Sequence, residues 1–111
     1  MITQGDVAWL DLDPQSGHEQ KGRRPVIVVS NSDFHLLTGG KLAMVCPITN
    51  TGRANLLHVK LDQQMQTTGF VMCEQAKVLD IATRNYAFIE KAPSTVLTDV
   101  LNRVQAISLL D

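Results

Sequence analysis

The densest group of side chains able to do chemistry lies in and just beyond the Gly17–Gly22 segment: His18, Glu19, Gln20, Lys21, Arg23 and Arg24. Arg24 precedes Pro25, and a following proline biases a residue toward extended backbone. Its guanidinium is a planar fork that matches two phosphate oxygens and keeps its charge at any physiological pH. An imidazole such as that of His18 exchanges a proton near neutrality, with an unperturbed pKa of about 6.5. Glu19 can act as a base if desolvated, or can anchor Arg24. Thr49, just past Pro47 at a strand end, offers a hydroxyl to a phosphate oxygen or to a nucleophile. Each residue also has an ordinary reading taken singly. Arg24 can be a surface cation at a strand start, His18 a solvated loop residue, and Thr49 a residue chosen for β propensity. Glu74 can pair on the surface with Lys77 or Arg84.

The chain has 111 residues, which fits one domain spanning 1–111. A core of that size is modest, so a dimer interface would add stability. Hydrophobic content of 44% with 19% charged residues argues for a folded globular protein. The formal net charge is −1, which excludes a strongly basic nucleic-acid coat. An RNA site must therefore be a local cluster, and Lys21, Arg23 and Arg24 form one. Cys46 and Cys73 lack C-x-x-C spacing, no N-terminal basic-then-apolar segment is present, and no apolar run approaches the ~20 residues of a membrane span. These features predict a cytoplasmic protein with reduced, buried thiols, although pairing of the two cysteines stays open. His35 and His58 have no partner at ligand spacing, so no metal is expected.

The elements that must position these residues are mostly short strands. Val7 to Leu12 alternates, with Val7, Trp9 and Asp11 on one face. A polar loop runs from Gln15 to Arg24, and Pro25 opens the apolar run Val26–Val29. Asn31-Ser32-Asp33 caps a short helical turn through Leu37. Gly39-Gly40 turns the chain into a strand from Leu42 to Ile48, which Pro47 is expected to interrupt. Leu56–Leu61, Gly69–Cys73, Lys77–Ile81 and Tyr86–Ile89 read as further strands, and Gln63–Thr68 as a loop. Pro93-Ser94 then starts a helix with Val96, Leu97, Val100, Leu101, Val104 and Ile107 on one stripe. The pattern predicts a small curled sheet or barrel capped by a C-terminal helix. Trp9 is assigned to the core or to a dimer contact ahead of base stacking, and the cysteines to the core.

Four segments carry a family resemblance. They are Gly5-Asp6-Val7-Ala8-Trp9 running to Asp13-Pro14, Gly17 to Val26, Pro47-Ile48-Thr49-Asn50, and Cys73 to Asp80. In this order and spacing they resemble the MazF/PemK (Kid) toxins from about Gly5 to the final helix. The resemblance implies a mainly β fold with a C-terminal α-helix, a small SH3-like barrel of the CcdB/MazF type, assembled as a homodimer. It also implies a metal-independent endoribonuclease that needs no cofactor and cuts single-stranded RNA at short sequences. The implied partner is an antitoxin whose acidic disordered tail blocks the RNA groove.

Such cleavage uses the ribose 2′-OH against the adjacent phosphate and leaves a 2′,3′-cyclic phosphate and a 5′-OH. Something must remove the 2′-OH proton, stabilise the phosphorane and protonate the leaving oxygen. The resemblance places Arg24 on the phosphorane and Thr49 in the active site, with His18, Glu19 and Glu74 as candidates for proton transfer. Gln20, Lys21, Arg23, Asn50, Arg53, Gln75 and Lys77 are the implied RNA contacts. One branch of the family pairs the acid at position 74 with an arginine two residues earlier. Here that position is Met72, which has no proton to give, so His18 or the Arg24 group must do more of the work. Two alternatives remain open: a gyrase poison like CcdB, and a catalytically inactive binding module. CcdB uses a Trp-containing tail, whereas this chain ends Leu109-Leu110-Asp111 and its single Trp is Trp9.

Overall fold

The computed structural model describes residues 1–12, 22–53 and 55–111. Seven strands and two helices follow in chain order: β1 (Asp6–Asp11), β2 (Arg23–Val28), α1 (Ser32–Leu37), β3 (Leu42–Thr49), β4 (His58–Lys60), β5 (Phe70–Met72), β6 (Lys77–Asp80), β7 (Ala87–Lys91) and α2 (Ser94–Ile107). Short 3₁₀ turns at Cys73–Gln75 and Ile81–Thr83 flank β6. All pairings are antiparallel, in the order β4-β5-β3-β2-β1-β7, with β6 beside β3. Among the described residues no helix is long and apolar enough to cross a membrane.

The curled sheet buries apolar side chains on both faces. One cluster holds Val7, Ile27, Cys46, Ile48, Val59, Val71 and Cys73 under Val96 and Val100 of α2. The other holds Leu10, Leu12, Val26, Val28, Ala43, Val45 and Ile81, with Tyr86 and Leu79 at its margin. Successive strand residues point to opposite faces, so the central strand β1 buries Val7 and Ala8 together. Both cysteines are free and fully buried in the first cluster. Burial pushes the Cys73 thiol up to about 11, which leaves it a protonated, inert packing group.

Three expectations need correction. β2 begins at Arg23, not at Pro25, and Pro25 pairs with Trp9 inside the ladder. The β3 ladder reaches β2 only from Val26 onward, so Pro25 has an open flank where a missing N–H is tolerated. β3 runs through Pro47 to Thr49 without a break. On one flank it pairs with β6 through Leu42–Val45 and with β5 from Ile48, so Pro47 falls in the gap between partners. The α2 stripe holds for Val96, Leu97, Val100, Leu101 and Val104, but Ile107 is exposed because the last helical turn outruns the sheet.

The open end of the sheet is closed by one carboxylate. Glu90 of β7 accepts hydrogen bonds from the Gln66 and Thr67 N–H groups and from Thr67 Oγ1, at 3.0, 2.7 and 2.7 Å. This ties the segment between β4 and β5 to the far edge strand. Partial burial opposes ionisation of Glu90, but these donors outweigh it and hold its carboxyl below the ordinary value.

Candidate functional site

Strand register decides which of the candidate residues can act together. Val26 pairs with Pro47 and Ile27 with Cys46, and beyond the last pair of that ladder Arg24 and Thr49 each lie two residues further along their strands. Thr49 pairs with Phe70 on its other side, Phe70 with Lys60, and Met72 with His58. Because Ile48, Val59 and Val71 all enter the cluster beneath α2, the alternation turns Arg24, Thr49, Phe70, Lys60, Met72 and His58 to the opposite face. One polar end of the sheet thus gathers a guanidinium, a hydroxyl, an ammonium and an imidazole from three strands, β2, β3 and β4.

Thr49 is 3% exposed. Its Oγ1 accepts the Thr51 N–H at 3.2 Å and lies 3.0 Å from Thr51 Oγ1. The turn fixes the Thr49 hydroxyl and presents the exposed Thr51 hydroxyl beside it. Arg24 is half-buried on β2. Lys77, opposite Val45, lies on the same face at the start of β6, and Gln75 is half-buried in the preceding 3₁₀ turn. Asn50 is exposed, and its Oδ1 accepts from Thr68 Oγ1 at 2.9 Å.

Glu74 takes a partner that no local spacing revealed. Its Oε2 lies 3.0 Å from His58 Nε2, and the two side chains are 33% and 12% exposed. A carboxylate only accepts, so the proton between them is on the imidazole. His58 Nδ1 lies 3.3 Å from the carbonyl oxygen of the exposed Arg53 and 3.4 Å from Asn55 Nδ2. The surface pairing of Glu74 expected with Lys77 or Arg84 gives way to this contact. His58 had been dismissed for want of a partner, yet it stands directly across from Met72, the position that lacks a proton donor.

Arg23 differs from its neighbour. It is exposed and on the other face, where Nη1 donates to Asp11 Oδ1 at 3.2 Å and to the Asn85 carbonyl at 2.8 Å. Asn85 Nδ2 donates to Asp11 at 2.7 Å. The Asn85 and Arg23 hydrogen bonds keep the Asp11 carboxyl below its ordinary value. Asp11 therefore offsets the Arg23 charge that the sequence had offered to RNA. His18, Glu19, Gln20 and Lys21 lie outside the described residues. Sequence reasoning missed His58, Lys60 and Thr51; the alternation around Val59 was the one signal that pointed to Lys60 and His58 as a pair.

Fold and site define a class: a small curled antiparallel sheet with a helix across one face and a cationic, hydroxyl- and imidazole-bearing end on the other. A family model described as PemK-like, MazF-like toxin of type II toxin–antitoxin system matches residues 3–108. The chain belongs to that family of endoribonuclease toxins. Endoribonuclease PemK of Escherichia coli is 36% identical over 110 residues, covering 96% of this chain and 81% of that protein. The crystal structure of MazF (Form-I) from Deinococcus radiodurans has a TM-score of 0.86 at 31% identity, covering 96% of this chain and 94% of that one. MazE-MazF (Form-II) from the same organism gives a TM-score of 0.80, with the same identity and coverage. The expected fold, mainly β with a C-terminal helix in the manner of MazF toxins, is the one observed.

Proposed function

We propose that the protein is the toxin of a type II toxin–antitoxin pair and cleaves single-stranded mRNA at short specific sequences without a metal. The 2′-OH attacks the adjacent phosphorus, the bond to the 5′-oxygen breaks, and the products carry a 2′,3′-cyclic phosphate and a 5′-OH. One observation carries this reading: the β2–β3 ladder ends two residues short of both Arg24 and Thr49, and the alternation turns these two and His58, which contacts Glu74, to one face.

Arg24 stabilises the phosphorane, because a fixed guanidinium favours the added charge of the transition state over the ground state. Thr49 and Thr51 hold a non-bridging oxygen. His58, positioned by Glu74, protonates the leaving 5′-oxygen in place of the arginine that Met72 replaces. The leaving 5′-oxygen is bonded to the same phosphorus, so the side chains of Arg24, Thr49 and His58 must converge on one phosphate across β5, from strands spaced about 4.8 Å apart. The base for the 2′-OH proton is assigned to His18 or Glu19, in the segment that enters β2. Lys60, Lys77, Lys21, Gln20, Gln75, Asn50 and Arg53 contact the flanking RNA.

The partner of this toxin is an antitoxin whose acidic tail covers the same cationic face. The MazE-MazF complex from Deinococcus radiodurans supports a partner of this kind. The functional unit is a homodimer, which would cover part of the exposed apolar surface at residues such as Leu56, Leu57 and Phe88. Its place of action is the cytoplasm, where mRNA is found.

The test incubates purified protein with a long RNA in EDTA and maps the ends. Discrete cuts with 5′-OH ends are expected. Arg24→Ala should lose about 10²–10³-fold in rate, and His58→Ala about 10²–10⁴-fold. Adding Glu74→Gln to His58→Ala should cost little more, as expected for groups acting as one unit. Cleavage only with added divalent metal, or full activity in Arg24→Ala, would refute the mechanism.

A further inference from the structure

Trp9 is neither core nor covered. It is 42% exposed and forms one wall of a cavity of about 320 Å³, with Asn50, Gln66, Thr67, Thr68 and Ile89 as the others. We propose that this cavity is a nucleobase subsite in which Trp9 stacks one base of the RNA, and Asn50 and Gln66 read its edge. The inference rests on the endoribonuclease reading above.

Its position follows from the strands. Trp9 pairs with Pro25, the residue after Arg24, and Asn50 follows Thr49. Successive Cα atoms are about 3.8 Å apart, so Asn50 lies one chain step from Thr49, and Trp9 lies across the ladder from the neighbour of Arg24. The cavity opens on the α2 side of the sheet, just past the ends of β2 and β3. A second depression shares Asn50, Thr67 and Thr68 with it and runs to Lys60 and Phe70 on the catalytic face. Together the two form a path around the sheet end from the phosphate site to the indole.

The lining chemistry suits a base better than a peptide. Sequence-specific RNA recognition splays single-stranded bases onto aromatic rings and hydrogen-bonds their edges. Asn50 Oδ1 accepts from Thr68 Oγ1, and the two N–H groups of its amide are the donors it can offer a base. The Gln66 carboxamide is exposed and can donate or accept. None of the lining residues carries a charge, and the Glu90 carboxylate lies behind Thr67. An acidic antitoxin segment finds no cation there. The size is at the low end of ligand clefts and fits one base-sized group.

Trp9 is the sole tryptophan, so its emission reports occupancy directly. Mixed-sequence 2′-O-methyl RNA octamers, which lack the nucleophile, should quench it saturably. In cleavage of an oligonucleotide spanning a mapped cut, Trp9→Ala should lower kcat/KM about 5- to 150-fold, mainly through KM, as loss of one stacked base predicts. Trp9→Leu keeps apolar bulk and should lose as much, whereas Trp9→Phe should stay within a few-fold of wild type. Asn50→Ala should relax the base preference at one position of the cut site, read by end mapping. Normal cutting with unchanged kcat/KM in both Trp9→Ala and Trp9→Leu overturns the subsite alone. So does quenching that follows protein concentration without RNA, which marks a dimer contact, or quenching by an acidic peptide and not by the octamers. A wild type that cuts no RNA overturns the endoribonuclease reading and the subsite with it.

Discussion

Substituting Gly69 by alanine tests the packing that holds Thr49 in place. Gly69 has φ +115°, and a Cβ built on it would stand 2.4 Å from the Thr49 carbonyl oxygen, 2.9 Å from its carbon and 3.0 Å from Asn50 Oδ1. Two costs follow. A side chain at this φ is strained by about 1–3 kcal/mol, and displacing backbone from an overpacked contact costs about 1–3 kcal/mol more. The expected loss is about 2–6 kcal/mol, a large share of the roughly 5–15 kcal/mol that stabilises a domain. Gly39 supplies the control, since its φ is +64° and nothing lies within 4 Å of an added Cβ. Gly39→Ala should cost only the left-handed backbone, about 1–2 kcal/mol. At about 4–8 °C per kcal/mol, thermal melts should fall by roughly 8–48 °C for Gly69→Ala and 4–16 °C for Gly39→Ala. Circular dichroism melts and urea midpoints with unchanged m-values measure both. Where folded protein persists at low temperature, Gly69→Ala should also cut RNA more slowly, because relief of the contact moves Thr49 and Asn50. A Gly69→Ala variant no less stable than Gly39→Ala would refute the close approach of these two segments.

Other consequences concern acid, closure and the helix. Asp6 is 5% exposed and takes hydrogen bonds from Thr3 N and Oγ1, with Lys91 Nζ at 3.1 Å. Burial opposes its ionisation, but Thr3 and Lys91 outweigh that and lower its pKa. The unfolded chain then binds the proton more tightly, so this stabilisation is complete above the unfolded value of about 3.9 and fades as pH falls below it. Accordingly Asp6→Asn should destabilise at pH 7 by about 1–3 kcal/mol, and the gap to wild type should narrow in melts toward pH 3. Glu90→Gln should weaken the bonds to Gln66 and Thr67, seen as faster amide exchange at those residues with the sheet core still protected. Val100 is fully buried and Ile107 is 55% exposed; Val100→Ala should cost about 1.5–3 kcal/mol in urea unfolding, and Ile107→Ala under about 0.5 kcal/mol.

Periodicity was enough for the elements because burial acts locally. The α2 stripe, the Asn31 cap that accepts from Phe34 N at 3.0 Å, and the Val26–Val29 run each announce themselves within a few residues. Errors arose at prolines, whose effect depends on which flank of a strand is paired. Pro25 and Pro47 both sit inside strands because a neighbour is absent on one side, and no window of sequence carries that information. The site divides the same way. Arg24 and Thr49 stand out through the motifs that surround them, but where they lie relative to one another depends on the β2–β3 register. His58 was passed over because its partner Glu74 is 16 residues away. Only the β4–β5 pairing sets His58 against Met72, the position where the family resemblance leads one to expect an arginine. Trp9 divides likewise. The alternation puts it on the face of Val7, yet it is 42% exposed, so the core half of the expectation does not hold, and the dimer-contact half turns on a partner surface that no window of one chain's sequence carries. Burial of a strand residue is decided by the element above it as much as by its own polarity.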